Sequence, residues 1–175
     1  MPDNKQHNRR STRLPDYDYR SNGAYFITIC VEQKQCLLGH VDNGDMILNN
    51  WGEIAKEEWL RSFEIRKEIK RDEYIIMPNH FHAIVWIERD EKVLSYTPTD
   101  NTLSRKPKSL STLVSGFKGA VTRKINLMRD TPSEKFWQRN YYERIIRKND
   151  DLHKIRYYIK TNPETWGKDS LYTSE

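Results

Sequence analysis

The segment YIIMPNHFHAIVWI, residues 74–87, constrains the fold more than any other part of the chain. Apolar and aromatic residues on both sides of a Pro-Asn pair predict two β-strands joined by a tight turn. Successive side chains of a strand point to opposite faces, so His80 and His82 share one face. The other face, predicted to lie in the core, carries Phe81, Ala83, Val85 and Ile87. We therefore predict a rigid strand pair that presents two imidazoles side by side.

Hydrophobic periodicity predicts the remaining elements. Further strands are expected at 24–31, as one short strand at the Asn-Gly turn (43–44), and within 136–146. Apolar residues three and four positions apart predict amphipathic helices at 49–63, 109–128 and 150–162. Strands joined by hairpins, with helices to cover them, indicate an α+β fold with an antiparallel sheet.

Composition bounds the class of protein. The 175 residues are 36% hydrophobic and 31% charged, which suits one globular domain. We divide the chain into a basic N-terminal arm (1–22), a domain (23–166) with a mobile loop (89–108), and a short tail (167–175). No apolar run approaches the ~20 residues that span a bilayer, and the N-terminus lacks a secretory signal. The spacing of Cys30 and Cys36 fits neither a zinc ribbon nor a disulfide scaffold, so we expect a cytoplasmic protein without a membrane partner.

The positive charge is concentrated in one part of the chain. Residues 101–148 hold twelve Lys and Arg against three Asp and Glu, a local excess of nine positive charges on a chain of net +5. Such a basic region suggests a polyanionic partner such as nucleic acid. A solvated lysine- and arginine-rich surface accounts for the charge equally well.

The two histidines predict a metal site that still lacks a ligand. Two imidazoles on one strand face can converge on a single ion. The alternative is that one histidine is a half-buried residue with satisfied hydrogen bonds and the other stands at the strand end by chance. The last helix offers candidates for a third ligand, because its core stripe is Leu152, Ile155 and Ile159. A helical wheel places Tyr158 and Asn162 together at one edge of that stripe and turns Tyr157 toward solvent.

A tyrosine beside a divalent ion suggests a nucleophile. A phenol has a pKa near 10 and attacks weakly at neutral pH, but a metal that polarises a phosphodiester makes such an attack feasible. The product is a phosphotyrosine, which conserves the bond energy for rejoining a strand. A helical tyrosine that only packs against a sheet is the alternative.

At these residues the sequence resembles the HUH-type single-tyrosine transposases, in particular their REP-associated branch. The resemblance extends over roughly residues 9–166 and is most specific in MPNHFHAI (77–84) and YIKTNP (158–163). It implies a ferredoxin-like fold with a central antiparallel sheet and helices packed mainly on one face. It also implies Mg²⁺ or Mn²⁺ as cofactor, and endonuclease and strand-transfer activity on single-stranded DNA at hairpin-associated sites through a 5′-phosphotyrosine.

The resemblance also implies roles for individual residues. His80 and His82 correspond to the metal-binding pair, Tyr158 to the nucleophile, and Asn162 to a third ligand that is usually glutamine in insertion-sequence relatives. Insertion-sequence relatives exchange this helix within dimers, whereas the REP-associated branch acts as monomers, so a monomer and a homodimer both remain open.

Basic residues on three segments are predicted to contact single-stranded or hairpin DNA. They are Arg9, Arg10 and Arg13 on the arm, Lys118, Arg123 and Lys124 on the second helix, and Arg139, Arg144 and Arg147 around the last strand. Two other functions stay open. One is a domesticated module that binds hairpin DNA without cleaving it. The other is a metallohydrolase whose metal-bound water would need a general base such as Asp72 or Glu73.

Overall fold

The computed structural model describes Tyr19 and residues 21–89 and 108–173. Its central sheet has four antiparallel strands, β1 (Gly23–Cys30), β4 (Ile69–Ile76), β5 (His80–Ile87) and β6 (Tyr142–Ile146), in the order β4-β5-β1-β6. The predicted arm up to residue 18 and the predicted loop from 90 to 107 lie outside the described residues. The strand pair expected around the histidines is therefore confirmed, and β1 lies against its histidine-bearing strand.

The Asn-Gly turn builds a separate hairpin, where the sequence predicted one short strand. Strands β2 (Gly39–Asp42) and β3 (Asp45–Leu48) form their own two-stranded sheet. Asn43 and Gly44 both have positive φ, 51° and 86°, and they alone separate the paired Asp42 and Asp45. Two left-handed residues match the twist of a tight hairpin, which explains why the chain reverses here.

One face of the central sheet is covered by two helices, α1 (Asn50–Ile65) and α2 (Leu110–Met128). The predicted core residues of β5 lie on this face, where the Phe81 ring packs 4.8 Å from Trp59 of α1 and 5.4 Å from Phe117 of α2 (ring centroids). Asn49 caps α1, its side chain accepting from the backbone N–H groups of Trp51 and Gly52. This aromatic core holds β5 flat against the helices and leaves its histidines on the opposite face.

The third helix, α3 (Asn149–Thr161), packs on that opposite face. Its buried residues are Leu152, Ile155 and Ile159, the stripe that periodicity predicted. They form a second, smaller core with Ala24 and Phe26 of β1, Ile84 of β5 and Ile146 of β6. With two helices on one face and one on the other, the α+β class with a central antiparallel sheet is confirmed.

The predicted strand over 136–146 is shorter than expected. Only Tyr142–Ile146 form β6, and Trp137 makes a single bridge to Val31. Phe136 and Trp137 are adjacent and both buried, 1% and 5% exposed. The chain bends at Arg139, between this bridge and β6, so the predicted strand is interrupted there.

A partly buried ion pair anchors α3 to the edge of the sheet. Arg156 donates from Nε to Asp72 Oδ1 (2.8 Å) and from a terminal nitrogen to Oδ2 (2.6 Å), and the Trp86 indole also donates to Oδ2 (2.7 Å). Burial raises the pKa of Asp72, but these hydrogen bonds outweigh it and lower the pKa to about 2. Nearby, Lys160 pairs with Glu73 at 2.9 Å on a more exposed part of the same edge. The orientation of α3 is therefore fixed by charge as well as by its apolar stripe.

Replacing Asp72 by Asn should lower the free energy of unfolding by about 1–2 kcal/mol at neutral pH, because the charged acceptor of Arg156 is lost. The pKa of Asp72 is lower in the folded chain than its usual 3.8. The stabilisation by the ion pair of Asp72 and Arg156 is therefore complete above pH 3.8 and is lost as the pH falls toward about 2. Denaturant unfolding across this pH range should show that the free energies of unfolding of the unmodified protein and of Asp72→Asn become equal as the pH falls.

The matched control is Glu73→Gln, because the Lys160 side chain opposite Glu73 is 62% exposed. That substitution should cost less than about 1 kcal/mol. An Asp72→Asn difference that stayed constant from neutral pH down to about 2 would contradict the role given to the ion pair.

Candidate active site

The sheet register brings both histidines to the same end of the molecule. His80 lies opposite Cys30 and His82 opposite Thr28 in the antiparallel pairing of β5 with β1. Both side chains are buried, 0% and 2% exposed, and their ring centroids are 4.4 Å apart. The shared face predicted from alternation is confirmed, and the two rings are close enough to bind one ion together.

Each imidazole is oriented by a hydrogen bond at its Nδ1 atom. Asn79 Oδ1 lies 2.8 Å from Nδ1 of His80, and Thr28 Oγ1 lies 2.8 Å from Nδ1 of His82. These contacts leave both Nε2 atoms for other partners. Nε2 of His80 is buried and has no hydrogen-bond partner among the described residues. Partners at one ring nitrogen that aim the other are the usual support of a metal-binding histidine.

The surroundings keep both histidines neutral. Burial lowers the pKa of His80 to about 4, with Lys34 acting in the same direction and Asp169 opposing it. Burial and then the neighbouring His80 lower the pKa of His82 to about 3. Neutral imidazole is the form that binds a metal, so both rings are ready to act as ligands at neutral pH.

Asp169 completes a three-residue group that the sequence analysis missed. After α3 a 3-10 segment, Pro163–Lys168, turns the chain back toward the sheet, and Asp169 follows it. The ligand atoms of His80, His82 and Asp169 all lie within 4.8 Å of one another. The Leu171 N–H donates to Asp169 Oδ1 (2.7 Å) and Asn162 Nδ2 donates to Oδ2 (2.9 Å). The carboxylate is thus held in place, and these bonds lower its pKa despite its burial.

Tyr158 lies at this group, whereas Tyr157 does not. The Tyr158 hydroxyl is 3.1 Å from Nε2 of His82 and 3.2 Å from Oδ2 of Asp169. Its side chain is 40% exposed, and that of Tyr157 is 71% exposed. The distinction that the helical wheel predicted is confirmed. Burial and the charge of Asp169 raise the pKa of Tyr158 to about 12, so the phenol keeps its proton at neutral pH.

Asn162 is also part of the site. It is 1% exposed, and its Oδ1 atom is buried without a hydrogen-bond partner among the described residues. An unpaired buried acceptor is costly, and the same holds for Nε2 of His80. Two neutral imidazoles with a carboxylate and an amide oxygen are a donor set that suits a divalent cation. The residues present therefore fit a metal, and His80, His82 and Asp169 could hold it.

The segment after α3 covers one side of the histidines. The Trp166 ring lies 5.7 Å from that of His80. Asn79, which orients His80, also donates from Nδ2 to the Leu171 carbonyl (2.9 Å) and to Thr173 Oγ1 (3.2 Å). The described residues of the tail therefore share a hydrogen-bond network with the site.

The predicted DNA-contacting residues are spread over both sides of the sheet. Arg9, Arg10 and Arg13 lie outside the described residues. On α2, away from the histidine face, Lys118 donates to the carbonyl of Gln138 (2.5 Å), Lys124 pairs with Glu58 (2.6 Å), and Arg123 is exposed. Arg139, Arg144 and Arg147 are exposed around β6, and Arg144 lies 3.4 Å from Asp151. Of these residues, Arg144 lies within β6 and pairs with Phe26 of the strand that carries Thr28.

The acidic residues considered for a water-activating site are engaged elsewhere. Asp72 accepts from Arg156 and Trp86, and Glu73 pairs with Lys160. The carboxylate beside the histidines is Asp169 instead. Among the described residues, the carboxylate in reach of both histidines therefore comes from the segment after α3.

Comparison with known proteins agrees with this architecture. No protein-family model matches the sequence. An uncharacterised protein of Haemophilus influenzae is 40% identical over 174 residues, covering 95% of this chain and 94% of that protein. The solved structure of a REP-associated tyrosine transposase bound to a REP hairpin superposes with a TM-score of 0.60. That match has 18% identity and covers 90% of this chain and 75% of the transposase.

These two comparisons carry different information. The identity to the Haemophilus influenzae protein is high and spans nearly both chains, so the two are members of one family. The match to the transposase structure is one of fold, and it confirms the architecture that the MPNHFHAI and YIKTNP motifs predicted. The chain therefore belongs to the family of the Haemophilus influenzae protein and has the fold of a REP-associated tyrosine transposase.

Proposed function

We propose that the protein is a metal-dependent single-stranded DNA endonuclease and strand transferase that acts at hairpin-associated sites. The observation that carries this proposal is the position of the Tyr158 hydroxyl, 3.1 Å from His82 and 3.2 Å from Asp169. A solvent-reachable phenol at a cluster of metal-binding donors is the arrangement that a tyrosine nucleophile needs. The transposase with this fold was solved with a REP hairpin bound, which supports hairpin DNA as the substrate class.

The proposed cofactor is Mg²⁺ or Mn²⁺, held by His80, His82 and Asp169. Asn162 Oδ1 would supply a further oxygen ligand, which would satisfy its unpaired acceptor. When bound, the ion supplies a Lewis acid that polarises the scissile phosphate and stabilises the charge that develops on it. The carboxylate and amide oxygens favour a hard cation, and the two histidines favour Mn²⁺ over Mg²⁺ among such ions.

The residues of the chain then perform the substitution at phosphorus. The Tyr158 oxygen forms a bond to phosphorus, and the bond from phosphorus to the 3′ oxygen breaks. The fragment downstream of the break stays attached to the tyrosine through its 5′ phosphate, and the upstream fragment leaves with a 3′-OH. Asp169, within hydrogen-bond distance of the hydroxyl, accepts the phenolic proton and releases it to solvent, and the leaving 3′ oxygen takes up one proton from solvent. The reverse attack by a 3′-OH rejoins a strand and releases Tyr158.

The basic residues would bind the phosphates of this DNA. Arg144 is exposed on the histidine face of the sheet, and Arg139 and Arg147 are exposed before and after its strand; these three are the first candidates to bind the DNA strand that enters the site. Arg9, Arg10 and Arg13, with Arg123 on α2, would extend the contact to the hairpin. Lys118 and Lys124 already bind protein groups, so we assign them a smaller share of the binding energy.

A metallohydrolase is the second candidate, and Asp169 is the observation that favours it. A carboxylate beside two metal-binding histidines can serve as general base toward a water molecule. In that reaction Tyr158 would bind the substrate and would not attack it. The two functions differ in whether the DNA becomes covalently attached to the protein.

Replacing Tyr158 by Phe should abolish covalent attachment, because the nucleophilic oxygen is removed. The assay uses a hairpin oligonucleotide with single-stranded flanks, labelled at either its 5′ or its 3′ end, in the presence of Mn²⁺. On a denaturing gel the unmodified protein should retain only the 3′-labelled fragment, at a mobility below that of free protein. Tyr157→Phe is the matched control and should form the adduct normally, because Tyr157 faces solvent.

Two outcomes would overturn this assignment. If Tyr158→Phe cleaves as fast as the unmodified protein without an adduct, the metallohydrolase is correct. If neither protein cleaves any of a set of hairpins that both bind, the chain is a hairpin-binding module.

Replacing Thr28 by Val should weaken Mn²⁺ binding about 10- to 100-fold, because His82 loses the partner that orients its Nδ1. Thr28→Ser keeps the hydroxyl and should bind Mn²⁺ within about twofold of the unmodified protein. Titration calorimetry measures both affinities without any DNA, and circular dichroism confirms that both variants are folded. Equal affinities for the Val and Ser variants would show that the hydroxyl does not support a ligand.

A further inference from the structure

An exposed aromatic ring lies one strand away from the histidines, on the same face of the sheet. Tyr142 begins β6 and pairs with Thr28 of β1, which in turn pairs with His82 of β5. Residues that pair directly across antiparallel strands point to the same face, so Tyr142, Thr28 and His82 form a row. At the outer end of this row the Tyr142 side chain is 51% exposed.

A buried ring connects Tyr142 to the nucleophile. The Phe26 ring is 6.5 Å from that of Tyr142, in an edge-to-face arrangement, and 6.3 Å from that of Tyr158. It also stacks on His82 at 5.3 Å. Phe26 is 8% exposed and lies in the small core under α3, so it cannot move without disturbing that core. Tyr142 therefore packs against a fixed ring, and half of its side chain surface remains exposed.

Positive charge accompanies this ring. Arg144, two residues farther along β6, pairs with Phe26 and so shares the face of Tyr142. Its side chain is 51% exposed, and its contact with Asp151 at 3.4 Å holds it beside the first turn of α3. Arg139 precedes β6 in the chain and Arg147 follows it, and both are exposed. An open aromatic ring flanked by cations is the combination that binds single-stranded nucleic acid, with the base on the ring and the phosphates on the cations.

We propose that Tyr142 is the stacking platform for one unpaired base of the strand whose phosphate is held at Tyr158. This inference rests on the proposed function. The Phe26 ring is 6.5 Å from the ring of Tyr142 and 6.3 Å from the ring of Tyr158. The two tyrosine rings are therefore no farther apart than the sum of these distances. A stacked strand advances about 3.4 Å per nucleotide, so the base belongs to a nucleotide within about four positions of the scissile phosphate.

The chemistry of the platform sets what it recognises. Every nucleobase offers an aromatic face, so Tyr142 positions the strand and does not read its sequence. The contact needs an unpaired base, because the two faces of a base inside a duplex are already stacked. Tyr142 thus favours a single-stranded flank over a paired stem at this point of the site.

Photocrosslinking tests the contact directly. The hairpin oligonucleotide carries 5-iodo-2′-deoxyuridine at one position of its single-stranded flanks at a time and is bound to the full chain in EDTA, which prevents cleavage. Irradiation should link one such position, within about four nucleotides of the cleavage point, to Tyr142. Mass spectrometry of the digested complex identifies the linked residue.

Affinity measurements test the energetic share of the ring. Tyr142→Ala should weaken binding of a fluorescent hairpin oligonucleotide about 5- to 150-fold, the range expected for one lost base stack. Tyr142→Phe keeps the ring and should stay within about twofold. Tyr157→Ala removes an exposed tyrosine that faces away from the site and is the matched control, with no expected change.

The outcomes separate this inference from the proposed function. If the DNA binds and the Tyr158 adduct forms, but Tyr142→Ala binds as tightly as the unmodified protein and no crosslink reaches Tyr142, the platform is refuted alone. If no oligonucleotide binds at all, the proposed function and the platform fall together. A crosslink at Tyr142 that disappears when the linked position is paired in a duplex supports the platform.

Discussion

The pairing of β5 with β1 is the constraint on which the rest of the site depends. It sets His82 opposite Thr28 and His80 opposite Cys30, and Phe81 between the histidines is buried among the aromatic rings of α1 and α2. A shift of one residue in this register would turn the imidazoles into the core and Phe81 out to solvent. The aromatic core on one face of the sheet therefore fixes the position of His80 and His82 on the other face.

The second half of the site depends on how α3 is oriented. Its apolar stripe decides which side faces the sheet, and the pairing of Arg156 with Asp72 fixes the helix at the edge strand β4. Tyr158 and Asn162 then reach the histidines because they lie beside the stripe. The site is thus built from β5 and α3, which are held by interactions outside the site, and from one irregular segment, which hydrogen bonds to Asn79 and Asn162 hold within it.

Periodicity explains which parts could be predicted from sequence. The faces of β5 and α3 follow from the strand and helix repeats, so the shared face of the histidines and the separation of Tyr158 from Tyr157 were predictable. Asp169 was not, because it follows a 3-10 segment with no repeat that would indicate its direction. Pairs between distant segments, such as Arg156 with Asp72 and Lys124 with Glu58, were equally hidden, because charge patterns do not encode long-range partners.

The position of Asp169 along the chain has a consequence for synthesis. A polypeptide emerges from the ribosome N-terminus first, and the histidine strand is made long before the carboxylate that lies beside it. β6 and α3 are also synthesised late. Until then β1 is an unpaired edge of the sheet, and the imidazoles are not covered by α3. The cluster of donors therefore closes only when translation has passed residue 169, which delays the appearance of a competent site until the domain is essentially complete.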